Sequence, residues 1–139
     1  MSVLVAEDEL ADVLLLKRAF RQCDVPLVLT LASDGDEALA QLKDFRGHFD
    51  LLLLDLNLPR KTGKEVLREL RQLPGRELLP VAVFSSSGMV VDVQECYALG
   101  ANCYIEKPNT YEQLAKSIRI LVDFWLKAAT LPAMISRTL

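Results

Sequence analysis

The sequence predicts an α/β fold, a doubly wound sheet of five parallel strands flanked by five helices. Three observations carry that expectation. Five short apolar runs, at 3–6, 27–31, 51–54, 81–84 and 103–105, lack the alternation of a strand with one wet face. Runs apolar on both faces are what parallel strands covered by helices require. Between them lie segments of helical period, so the order is βα repeated five times, which implies right-handed crossovers and helices on both faces. Turn and cap residues fall at the joints of these segments.

Taken in order, strand 3–6 is followed by a helix whose expected inner face is Ala11, Leu14, Leu15 and Ala19. After strand 27–31, Ser33 or Asp34 can cap a second helix lined by Ala38, Leu39 and Leu42. The run LLLL at 51–54 precedes Pro59 and Thr62-Gly63, which open a third helix lined by Val66, Leu67 and Leu70. Strand 81–84 leads to a fourth helix in which Val91, Val93, Cys96 and Leu99 share a face less cleanly, and Gly100 stands where a left-handed C-terminal residue is expected. Strand 103–105 leads to Asn109 or Thr110, either of which can start the last helix, predicted over 111–129.

The length of 139 residues fits one domain, expected over 1–129, with a C-terminal extension at 130–139 and no output domain. The formal charge of −3 offers no basic face for nucleic acid. Three cysteines without C-x-x-C spacing argue against a disulfide framework or zinc site and suit a reducing cytosol. The N-terminus lacks a signal peptide's pattern, and the apolar tract near 118–135 is broken by Asp123, Lys127 and Pro132, so no membrane span is expected. A cytoplasmic protein is the expectation.

In an open parallel sheet, ligands bind beyond the carboxyl ends of the strands, where the order switches direction. Glu7 and Asp8 follow the first strand and Asp55 the third. Three carboxylates converging there would repel each other by several kcal/mol without a cation. Oxygen ligands alone favour a hard ion, Mg²⁺ first, because it accepts few protein ligands and several waters. Ser85 follows the fourth strand and Lys107 the fifth. A hydroxyl, a fixed ammonium and a divalent cation around one carboxylate make a phosphoryl-binding set, with Asp55 as the nucleophile of an aspartyl-phosphate.

With AED at 6–8, LLLLDLNLPRKTG at 51–63, PVAVFSS at 80–86 and ALGANCYIEKP at 98–108, the chain resembles the receiver domains of two-component response regulators through about residue 129. The resemblance implies a flavodoxin-like sheet of order 2-1-3-4-5 and a phosphoprotein that accepts its phosphoryl group on Asp55 from a sensor histidine kinase. It implies Mg²⁺ held by Asp8 and Asp55, by Glu7 through water and by the Asn57 backbone carbonyl. Ser85 and Lys107 would bind the phosphoryl, Tyr104 would be the switch aromatic, and the bond before Pro108 would be cis. DLNLP and the C-terminally extended lone receiver look like the small regulators that partner phytochrome-type kinases. The activity implied is limited to the domain's own phosphorylation and dephosphorylation.

On a helical wheel, Leu114, Ile118, Leu121, Val122, Trp125 and Ala129 form one face of the last helix, and Ile120, Phe124, Ala128 and then Leu131 a second apolar strip beside it. At about 100° per residue the two span roughly 200°, more than a surface helix needs. A homodimer through this helix and the fifth strand, including Tyr104, is expected, with LPAMI at 131–135 as a candidate addition. The alternative is a tail folded back over Phe124. His48 lies before the third strand, at the end away from the acids, and is expected to be a surface residue. Two other functions compete. A receiver fold that only binds partners is disfavoured because every expected site position has a competent side chain. A phosphatase of the haloacid dehalogenase type wants an Asp two positions past the nucleophile, where Asn57 stands.

Overall fold

The computed structural model describes residues 1–132. Five strands, β1 (Ser2–Ala6), β2 (Val28–Ala32), β3 (Leu51–Leu54), β4 (Val81–Ser85) and β5 (Cys103–Glu106), alternate with helices α1 (Leu10–Arg21), α2 (Gly35–Lys43), α3 (Gly63–Leu70), α4 (Val90–Ala98) and α5 (Tyr111–Leu121). The sheet order is β2-β1-β3-β4-β5, and all four pairings are parallel. The predicted order 2-1-3-4-5 is therefore observed, and the flavodoxin-like fold follows from it.

Each central strand divides its residues between two cores. Leu4, Leu52, Leu54, Val81 and Val83 pack under the residues of α2, α3 and α4. Val3, Val5, Leu51, Leu53, Ala82 and Phe84 pack under α1 and α5. Helix starts are set by side-chain caps: Asp34, Thr62 and Thr110 each accept from the backbone N–H three residues on. At the amino end of the sheet, the buried Asp50 carboxylate accepts from the Ser2 backbone N–H at 2.8 Å and meets His48 Nε2 at 2.8 Å, tying the start of β3 to β1. His48 thus sits at the end away from Asp55, as expected.

Four expectations need correction. In α1 the buried residues are Leu16, Ala19 and Phe20, while Leu14 and Leu15 face outward. Apolar residues surround this helix, so periodicity leaves the face open, and the Leu16–Phe20 pair one turn apart fills the space over β1 and β3. The peptide before Pro108 is trans, not cis; no cis bond occurs among the described residues. Trans is the lower X–Pro isomer by about 0.5–1 kcal/mol.

The other two corrections concern the last helix. From Val122 to Ala128 it widens into a π-helix, closed by the Ala129 N–H donating to the Phe124 carbonyl five residues back. The wider turn buries Leu126 fully, while Trp125 still packs, partly buried, against the same core as expected. Leu131 is 1% exposed and belongs to the same core, so it does not extend the outer strip. The strip that remains outward is Ile120, Phe124 and Ala128. Most of the LPAMI segment lies outside the described residues.

Candidate functional site

The carboxyl ends of β1, β3, β4 and β5 deliver Glu7, Asp8, Asp55, Ser85 and Lys107 to one edge. Register makes this possible: Ala6 pairs with Leu54, so the residues just beyond, Glu7 and Asp55, stand side by side. The Asp55 N–H donates to the Ala6 carbonyl at 3.0 Å, which fixes the acceptor strand against β1. Gly63 is required here for its lack of a side chain. A Cβ on it would stand 2.3 Å from the Asp55 carbonyl oxygen, so only glycine lets α3 start against the end of β3.

Asp55 is 4% exposed. Its Oδ2 accepts from Lys107 Nζ at 3.1 Å and its Oδ1 from the Asn57 backbone N–H at 3.2 Å. Lys107 also donates to Glu7 at 2.7 Å and to Asp12 at 3.0 Å. Glu7 is 3% exposed, whereas the Asp8 side chain faces solvent. Glu7, Asp8 and Asp55 each offer an oxygen, and these lie within 4.8 Å of one another.

Electrostatics follow from burial. Loss of water pushes the Glu7 carboxyl up from 4.5 to about 7, against the Lys107 hydrogen bond and with help from the Asp55 charge. Burial works against the Lys107 charge too, but the Glu7 bond, the Asp55 field and the Asp12 bond outweigh it and hold the ammonium above the ordinary lysine range. Three acids around one lysine leave excess negative charge, and a small hard cation matches the all-oxygen donor set. These residues fit a divalent metal.

Ser85 is fully buried, and its Oγ accepts from the Ser87 N–H at 3.2 Å. Tyr104, half-buried against the core, donates its hydroxyl to the Ser87 carbonyl at 2.7 Å. The structure thereby brings Tyr104 to the loop after Ser85. Asn57 projects its side chain to solvent.

A family model for the response regulator receiver domain matches residues 3–119. The chain belongs to this family. Among curated relatives, the receiver is 36% identical over 137 residues to response regulator Rcp1 of Synechocystis, covering 94% of this chain and 92% of that protein. Among solved structures it superposes on the phosphorylated cyanobacterial phytochrome response regulator RcpA with a TM-score of 0.90 and 38% identity, over 94% of this receiver and 97% of that chain. It likewise matches the Mn²⁺-bound form of Rcp1 with a TM-score of 0.87 and 35% identity, over 94% and 98%.

Two groups beside the receiver site lie outside the residues expected to bind metal or phosphoryl. Asp12 stands in the first turn of α1 and has no local signal that ties it to Lys107. Behind Tyr104 runs a second network. The Ser87 hydroxyl donates to Asp92, whose other oxygen meets Lys64 at 2.6 Å, and Lys64 reaches Glu95 at 2.6 Å. It joins α3 to α4 through residues with no local pattern in common. No described helix is long and apolar enough to cross a membrane.

Proposed function

We propose that Asp55 is the phosphoacceptor of this receiver and that a phosphohistidine on a sensor histidine kinase is its donor. The observation that carries this is a nearly buried carboxylate bounded by an ammonium at 3.1 Å and two further carboxylates that fit a cation. An Asp55 oxygen bonds to phosphorus, the phosphorus–nitrogen bond breaks, and the imidazole leaves. Mg²⁺, the proposed ion, would be held by Asp8 and Asp55, by Glu7 through water and by the Asn57 carbonyl, and would neutralise charge on the transferring oxygens. Lys107 and Ser85 hold the remaining oxygens. As Ser85 turns toward them, Tyr104 loses its reason to stay on the Ser87 carbonyl and moves inward. Catalysis is confined to this transfer and to slow hydrolysis of the aspartyl-phosphate, which frees Asp55 and releases phosphate.

The signal then passes through protein contacts of the receiver, read as 1–129 with an extension at 130–139. The likeness to RcpA supports a phytochrome-type kinase as partner. The outward Ile120, Phe124 and Ala128 of the last helix, with Tyr104 on β5, support a homodimer. A cytoplasmic site of action fits the kinase partner.

The test is incubation with Mg²⁺ and acetyl phosphate, followed by intact mass, for the wild type and Asp55→Asn. One added phosphoryl, dependent on Mg²⁺ and absent in the variant, is expected. No added mass together with no beryllofluoride binding would reject the acceptor role.

A further inference from the structure

Lys107 has three N–H donors and meets three carboxylates, Glu7 at 2.7 Å, Asp12 at 3.0 Å and Asp55 at 3.1 Å. Two of these belong to the carboxylate cluster that fits a cation; Asp12 does not. It stands instead in the first turn of α1, on a helix packed over the sheet beside α5. With Leu16, Phe84, Pro108 and Leu114 it lines a small groove into which the Lys107 side chain runs. The Phe84 ring lies 6.0 Å from the ammonium and limits where it can swing.

Given Asp55 as the acceptor, as proposed above, we propose that Asp12 is a positioning residue for phosphoryl transfer, acting through Lys107. Before transfer the ammonium is shared among three acids. Once Asp55 carries a phosphoryl group and Glu7 faces a cation, both have new charges to satisfy. Asp12 remains committed to the lysine alone. Its bond keeps a side chain with four rotatable carbons from collapsing onto Glu7 and holds the ammonium at the reach of the phosphoryl oxygens. The fixed end of this tether is a helix packed over the sheet, so the lysine is located from outside the reacting groups.

The acidic first turn of α1 also suits the helix dipole, and the charge of Asp12 could act on the cation directly. A double-mutant cycle separates these roles from the tether. Two quantities are measured at saturating Mg²⁺: the initial rate of phosphoryl uptake from acetyl phosphate and the affinity for beryllofluoride. Asp12→Asn and, as a second removal, Asp12→Ser are each made in the wild type and in Lys107→Met, with melting curves for every variant. In the wild-type background both quantities fall about tenfold, the lower end of what losing a hydrogen bond to a charged group costs. In the Lys107→Met background the beryllofluoride affinity changes by less than about twofold, the limit for independent sites. An Asp12→Asn protein equal to the wild type overturns the proposal. So does an equal loss of affinity in both backgrounds, which would mean that the charge acts without the lysine. A wild type that takes up no phosphoryl would instead reject Asp55 as acceptor.

Discussion

Glu7 carries a cost that its neighbours impose. Packed at the end of β1, it loses water before any cation arrives, and its carboxyl rises from 4.5 to about 7. Between those two pH values the folded chain binds more protons than the unfolded one. Stability therefore falls as pH rises through that window and is level above it. In the presence of EDTA, the melting temperature of the wild type should drop across this range relative to Glu7→Gln, which has no proton to lose. Mg²⁺ should recover the loss at neutral pH, because it stabilises the ionised form. Parallel melting profiles for the two proteins in scanning calorimetry would show that burial of Glu7 is not the source.

Among the elements, the last helix departs most from its pattern. Its first three turns bury Leu114, Ile118 and Leu121 at α-helical spacing. Beyond Val122 the π turn changes the phase, and Leu126 takes the inward position while Phe124 stands 55% exposed, edge-on to Trp125 with ring centroids 5.0 Å apart. Leu126→Ala should cost about 2–4 kcal/mol, as deletion of a core leucine does. Phe124→Ala should cost less than about 1 kcal/mol, since its ring is half in water already. Denaturant midpoints at constant slope measure both. An order reversed between the two would mean that Leu126 does not hold the inward position in solution.

At the scale of the molecule, the homodimer proposed above rests on the outward strip. Ile120 and Phe124, 58% and 55% exposed, lie on the helix that follows β5, and the exposed Val90, Val91 and Tyr97 lie on α4. A patch of this kind is usually covered. Sedimentation at micromolar concentration should find a dimer, and Phe124→Glu should return it to a monomer by placing a charge in the interface. A wild type that stays monomeric with and without beryllofluoride would reject the homodimer.

Strand positions, helix caps and the five chemistry-bearing residues at the strand ends were legible in the chain because their signals are local. A run such as LLLL ends where Asp55 begins, and Asp34, Thr62 and Thr110 mark their helices within three residues. Composition also bounded the fold class, since strands apolar on both faces have few homes. What required the tertiary structure were choices among local equals. The sequence of α1 permits several inward faces, and the space over β1 and β3 selected Leu16 and Phe20. Nothing near Asp12 announces a partner 95 residues away, and only the meeting of α1 with the end of β5 puts Lys107 there. The π turn and the burial of Leu131 are likewise settled by the room left beneath α5, a property of distant residues packed together rather than of the segment that adapts to it.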